Sequence, residues 1–239
     1  MPETLDVVLG EGAGAFPGVA AAPAGSPAGG IVVLQEAFGL TGHIRNVCGR
    51  LADAGYLAVA PALFHRQGAP VLGYDEFSSA QPLMGRLRAA EIMSDVTAAL
   101  GYLRHQGMPA DRCAAVGFCM GGSVAFIMAT EFELGAAVTF YGGGVAQGRF
   151  GFPALADAAP SLRAPWLGLY GDQDHTIPVE QVETLRDQAA RSPVATEVVR
   201  YPDAGHGFNC DHRGAFAPDA AADAWSRMLD WLGARLTGR

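Results

Sequence analysis

A mainly parallel α/β sheet with helices on both faces is the fold class that three features of this 239-residue sequence predict. Apolar runs of strand length alternate with segments of helical period along most of the chain, the pattern of right-handed βαβ crossovers. Short polar or glycine-rich motifs follow several of those runs, at the strand ends where such a sheet gathers its chemistry. Half of the residues are hydrophobic and only 17% are charged, a balance that suits strands buried on both faces. The length fits a single domain over 1–239 with no separate cap domain. A chain this long buries roughly 70–75% of its unfolded surface, enough for a core without staples.

Taken in order, the stretch PAGSPAGG at 23–30 is punctuated by Pro and Gly and reads as a loop. It leads into IVVLQ at 31–35, a β-branched strand candidate, followed by a helix at 42–54. The run YLAVA at 56–60 is the next strand, and 88–105 the next helix. Strand 112–116 precedes helix 121–131, and strand 136–141 is followed at a distance by strand 166–170. Helix 179–191, strand 197–201 and helix 218–236 complete the order. In the last helix Ala222, Trp225, Met228, Leu229 and Leu232 recur at helical spacing.

The net charge is −8, which argues against nucleic acid as a partner, because phosphates call for clustered basic residues. All 16 basic residues are Arg. Schiff-base and P-loop chemistry both need a Lys, so both are excluded. Cys48, Cys113, Cys119 and Cys210 form no C-x-x-C pair and no disulfide framework. The opening residues lack the basic and apolar pattern of a secretory signal. No apolar run approaches the roughly 18 residues of a membrane span. The expectation is a reducing, cytoplasmic setting without membrane contact; the sequence does not specify an oligomeric state.

Gly117-Phe118-Cys119-Met120-Gly121-Gly122 lies between a strand and a helix and has the G-x-nucleophile-x-G form of a nucleophile elbow. A sharp turn of that kind needs glycines where side chains would strike neighbouring backbone. The helix that follows directs its positive end towards Cys119, which favours thiolate. Ser123 lies inside the helix rather than at the apex, and Cys48 and Cys113 fall within elements as small buried hydrophobes.

On this architecture a triad runs nucleophile, acid, histidine in chain order. Gly171-Asp172-Gln173-Asp174 follows the strand at 166–170, and Gly205-His206-Gly207-Phe208 follows the strand at 197–201. His206 between glycines in a loop suits an imidazole that must reach the elbow. Asp172 and Asp174 compete for the acid; Asp174, farther out on the loop, is preferred, while Asp172 could close an Asx turn. The acid would hold His206 in the right tautomer. The backbone N–H groups of Ala37 and Met120 are the candidate oxyanion donors. Glu36 is a carboxylate beside the thiol or a solvated loop residue, and on the residues alone the solvated loop residue is slightly preferred.

Together Q-E-A-F-G-L at 35–40, G-F-C-M-G-G at 117–122, G-x-x-D-x-x-x-P at 171–178 and G-H-G-F at 205–208 resemble the dienelactone hydrolase family. The resemblance runs from about residue 31 to the carboxyl end. It implies the α/β-hydrolase fold and a Cys–His–Asp triad on Cys119, His206 and Asp174, which decides against Asp172. It also places the family's glutamate on Glu36, which there partners the resting thiol and takes its proton when substrate binds. Two departures bear on substrate. The dienelactone hydrolases proper hold the lactone's carboxylate with two arginines. At one of those positions this chain has Cys210, and the other falls in 74–79, which contains no arginine. Arg213, Arg86 or Arg88 could substitute, since guanidinium binds carboxylate from several directions. Phe38 is a further candidate for lining the substrate pocket.

His206, Cys210 and His212 lie close in sequence, but a structural zinc site wants four ligands and recruiting His206 would remove the base, so no metal and no cofactor is expected. The predicted partner is a small-molecule ester or lactone. The predicted activity is ester or lactone hydrolysis, with an enol-lactone such as dienelactone as leading substrate and a thioester acyl-enzyme as intermediate. A general small-ester or thioester hydrolase is the enzymatic alternative. A thiol redox sensor or binding module is the non-enzymatic one, and neither needs an oxyanion hole.

Overall fold

The computed structural model describes residues 3–236. In chain order its elements are β1 (Leu5–Leu9), β2 (Phe16–Ala21), β3 (Gly30–Leu34), α1 (Gly42–Asp53), β4 (Leu57–Pro61), α2 (Phe77–Arg86) and α3 (Ala89–His105). They continue through β5 (Cys113–Phe118), α4 (Met120–Glu131), β6 (Ala136–Phe140), α5 (Leu155–Ala158), β7 (Trp166–Gly171), α6 (Val179–Ala189), β8 (Thr196–Tyr201) and α7 (Pro218–Leu236). One eight-stranded sheet in the order β1-β2-β4-β3-β5-β6-β7-β8 carries them. Every pairing from β4 to β8 is parallel, and β1–β2 and β2–β4 are antiparallel. This is the α/β-hydrolase fold that the motifs imply.

The six expected strands and five expected helices are all present, with ends shifted by one or two residues. The antiparallel pair β1 and β2 was not expected. β1 is largely exposed, and β2 (FPGVAA) carries a Pro and a Gly, so neither shows the apolar strand signal. Helix α2 was also unexpected, because its sequence FSSAQPLMGR contains Pro82 in the interior. Both features lie beside the parallel core and leave its topology unchanged.

Two features of the core position the site. The chain leaves β3 for β4 on one side and then returns to β5 on the other, so a crevice opens at the carboxyl ends of β3 and β5. Helix α4, which follows β5, is buried along its whole length from Met120 to Thr130. A helix apolar on all sides belongs inside the molecule, and α4 accordingly packs against β3, β5 and β6.

Candidate active site

Cys119 is the residue before α4, with φ 53° and ψ −114°. A non-glycine residue in that region stores about 1–3 kcal/mol of strain and persists only when its surroundings over-determine it. The surroundings here do so. The Cys119 N–H donates to the Phe140 carbonyl at 3.0 Å. A side chain at Gly117 would strike the carbonyl of Gly121, and one at Gly121 the carbonyl of Leu34. The Gly121 N–H donates to the Gln35 carbonyl at 3.0 Å, which ties the elbow to the loop after β3. That loop is itself fixed by the buried Gln35 side chain, whose Oε1 accepts from the Leu63 N–H at 3.1 Å. Thus the glycines around Cys119 bring Glu36 and Ala37 alongside it.

Beyond β7, Asp174 is 3% exposed and fully committed. Its Oδ1 accepts from the Thr176 N–H at 2.8 Å and the Thr176 hydroxyl at 2.7 Å, and its Oδ2 lies 2.6 Å from His206 Nδ1. Burial acts to raise its pKa, but the bonds to His206 and Thr176 outweigh it and hold the carboxyl below the usual range. Burial likewise works against a charged His206. The interaction with Cys119 and the hydrogen bonds to Asp174 and Cys119 prevail, pushing its pKa up to about 10. Tyr141, with φ 40°, sets its ring edge-on to His206 at 5.2 Å. Asp172 goes elsewhere: both its oxygens accept from Arg200, each at 2.7 Å.

Glu36 is completely buried. Its Oε1 accepts from Arg213 Nη1 at 3.2 Å, and Oε2 has no hydrogen-bond partner. Burial pushes its pKa up, with Arg213 the main opposing influence. Glu36 thus bonds Arg213 here rather than the thiol. Arg213 passes beneath Gly207, where any side chain would collide with the guanidinium, and sits 5.7 Å from the ring centres of both Phe38 and Tyr74.

A cavity of about 690 Å³ has Cys119, His206, Thr176 and Arg213 in its wall. Neither of the other two side chains expected to bind substrate contributes to it. Phe38 is buried behind Arg213, and Arg86 is exposed in the last turn of α2. The N–H groups of Ala37 and Met120 have no hydrogen-bond acceptor among the described residues outside the α4 helix. Ser123 is occupied, donating to the Gly143 carbonyl at 2.7 Å. Cys48 and Cys113 are buried, and burial pushes their thiols up to about 12 and 11. Cys119 alone among the four cysteines is partly exposed. Thr176 escaped the sequence reading, although its place two residues after Asp174 is the signature of an Asx turn.

Metal-ligating side chains do not gather as the sequence spacing suggested. Among the described residues, the group with donors mutually within 4.8 Å is Glu36, His43 and Cys210, rather than His206, Cys210 and His212. Its one carboxylate already carries the Arg213 guanidinium.

The model of the dienelactone hydrolase family matches residues 16–236. The chain belongs to that family. It is a hydrolase, and no helix of the described residues is long and apolar enough to cross a membrane. The "Putative carboxymethylenebutenolidase" of Salmonella typhimurium is 39% identical over 204 residues, covering 84% of this chain and 76% of that protein. The carboxymethylenebutenolidase of Pseudomonas putida is 32% identical over 222 residues, 91% of this chain and 90% of its own length. Among solved structures, the "Putative Dienelactone Hydrolase" of Klebsiella pneumoniae superimposes with a TM-score of 0.87 at 34% identity, covering 96% of this chain and 97% of that one.

Proposed function

We propose that this hydrolase opens carboxylic esters and lactones through a Cys119–His206–Asp174 triad, with an enol-lactone such as dienelactone as the leading substrate. The observation that carries the reading is the placing of Cys119 and His206 in one cavity wall, with His206 held by Asp174 at 2.6 Å. Because Nδ1 of His206 faces Asp174, Nε2 is left for the sulfur and for the leaving group. The Cys119 thiolate attacks the carbonyl carbon, and the oxyanion forms against the N–H groups of Ala37 and Met120. One such donor is worth about 3–4 kcal/mol of barrier. The C–O bond then breaks, the departing oxygen takes the Nε2 proton of His206, and a thioester remains. Water, deprotonated by His206, releases the acid and restores the thiol. Glu36 accepts the thiol proton when substrate binds, which leaves His206 its own Nε2 proton for the departing oxygen, and returns it to the sulfur once the acid is released, a role that its upward-shifted pKa supports.

A general small-ester or thioester hydrolase with the same triad is the second reading. It is favoured by Cys210, which replaces an arginine of the dienelactone hydrolases proper, and by Arg213 being already paired with Glu36. The test is Cys119→Ala. That variant should lose turnover of an activated ester while keeping its fold by circular dichroism. In the wild type, one equivalent of iodoacetamide should inactivate and label Cys119. Full activity in the alanine variant would overturn the triad.

A further inference from the structure

The wall of the Cys119 cavity inverts the charge of the protein around it. The chain carries 24 acidic residues against 16 arginines, yet no Asp or Glu lines this cavity, whereas Arg149, Arg213 and His206 do. A second cavity of about 700 Å³ adjoins it, sharing Phe77, Met84 and Arg149, and adds Arg88 with no acid either. The three arginines are in different states. Arg213 is engaged by Glu36, to which it donates at 3.2 Å. Among the described residues, no carboxylate forms an ion pair with Arg149 or Arg88.

The backbone is built to hold these two arginines together. The Arg149 guanidinium lies where a side chain at Gly143 would be, and its aliphatic stem crowds the same position at Gly144. Glycines at 143 and 144 therefore make room for Arg149 to lie flat along the loop after β6. The Ala89 N–H donates to the Phe150 carbonyl at 2.7 Å, joining the residue after Arg88 to the residue after Arg149. Arg88 is oriented by donating to the carbonyls of Gly85 at 2.9 Å and Leu87 at 2.8 Å. Such preorganisation lowers the cost of fixing a ligand.

We infer that Arg149, with Arg88 beside it, binds a carboxylate at the far end of an elongated acyl chain whose carbonyl lies at Cys119. The inference rests on the triad reading for the position of the carbonyl. The apolar surfaces of Phe77 and Met84, common to both cavities, take the chain between its two ends. Arg213 keeps its guanidinium on Glu36, so the anion is recognised away from the reacting centre.

The experiment compares 4-nitrophenyl hexanoate with the mono-4-nitrophenyl ester of adipic acid, which differ by the terminal carboxylate. Wild type should prefer the adipate ester. Arg149→Ala should lower kcat/KM for it up to about fivefold more than for hexanoate, through KM, as loss of one ion pair at an exposed site. Arg149→Lys should recover part of the preference, Arg149→Glu should reverse it, and Arg104→Gln, on the last turn of α3, controls for net charge. Calorimetric binding of adipate to the Cys119→Ala protein reads the anion site without turnover and should weaken when Arg149→Ala is added. Equal losses on both esters, or adipate binding indifferent to Arg149, would overturn the inference. Ester turnover retained in Cys119→Ala, with adipate binding still dependent on Arg149, would instead count against the triad and leave the anion site standing.

Discussion

Asp174 and Glu36 are two buried carboxylates on either side of Cys119, and the fold drives their acidities apart. Asp174 has a donor for each oxygen, and those bonds prevail over burial to keep it ionised. Glu36 is buried more completely, has one bond from Arg213 and one oxygen with no partner, and is pushed towards the protonated form. The difference is one of depth and of hydrogen-bond supply together, burial dominating at Glu36 and the bonds prevailing at Asp174. Carboxylates whose environments separate their pKa values are suited to different work. Asp174 has the environment of a permanent anion that orients an imidazole, and Glu36 that of a group able to take up a proton.

The largest break in this comparison comes from Asp174→Asn. Turnover should fall by two to four orders of magnitude, because the amide no longer holds the His206 tautomer. The pH response should change with it. A histidine raised from 6.5 to about 10 contributes stability that is complete below 6.5 and is lost as pH rises through about 10. In Asp174→Asn, the His206 midpoint followed by NMR should drop, and thermal stability should lose part of its decline towards pH 10. A midpoint that stays near 10 would assign the shift to the interaction with Cys119 alone.

Glu36→Gln is the next largest. It keeps the shape of the side chain but removes both the negative charge and the proton acceptor. A fall of roughly a hundredfold in kcat/KM is expected, at the low end of what a positioned proton acceptor contributes. Alkylation of the resting protein by iodoacetamide should change much less, since Cys119 is coupled to His206 rather than to Glu36 before substrate arrives. Unaltered turnover would reduce Glu36 to a counter-ion for Arg213.

How much of this was legible in the sequence follows from what each feature depends on. The elbow was readable because its glycines answer to local collisions within and around G-F-C-M-G-G. Asp174 and His206 were readable because chain order fixes their places at successive strand ends. The engagement of Arg213 by Glu36 was not, because it joins residues 177 positions apart. Arg149 lies in an irregular stretch between β6 and α5, with no motif to mark it, and only the contact with Gly143 and Gly144 shows what those glycines accommodate. The edge pair β1 and β2 carried no apolar pattern because one strand is exposed and the other is broken by Pro17 and Gly18.

The smallest effect on activity sharpens the contrast from the same loop. Asp172 is only two residues from Asp174, yet it faces Arg200 at the end of β8, and Arg200 also bonds Glu183 at 2.8 Å. Both members of the Asp172–Arg200 pair are partly exposed, at 18% and 29%, so solvent screens it. Asp172→Asn should cost about 1 kcal/mol or less of stability. For a domain of this size that is a melting shift of roughly 2–4 °C at most. Turnover should stay within about threefold of wild type, because Arg200 retains Glu183 and the backbone of the loop is held independently. The Asp172 N–H donates to the Tyr201 carbonyl at 2.9 Å, and the Gln173 N–H to that of Ala204, also at 2.9 Å. Those bonds keep Asp174 in register with His206 whatever occupies position 172. A larger loss of turnover from Asp172→Asn than from Asp174→Asn would reverse the assignment and make the Arg200 pair the anchor of the site.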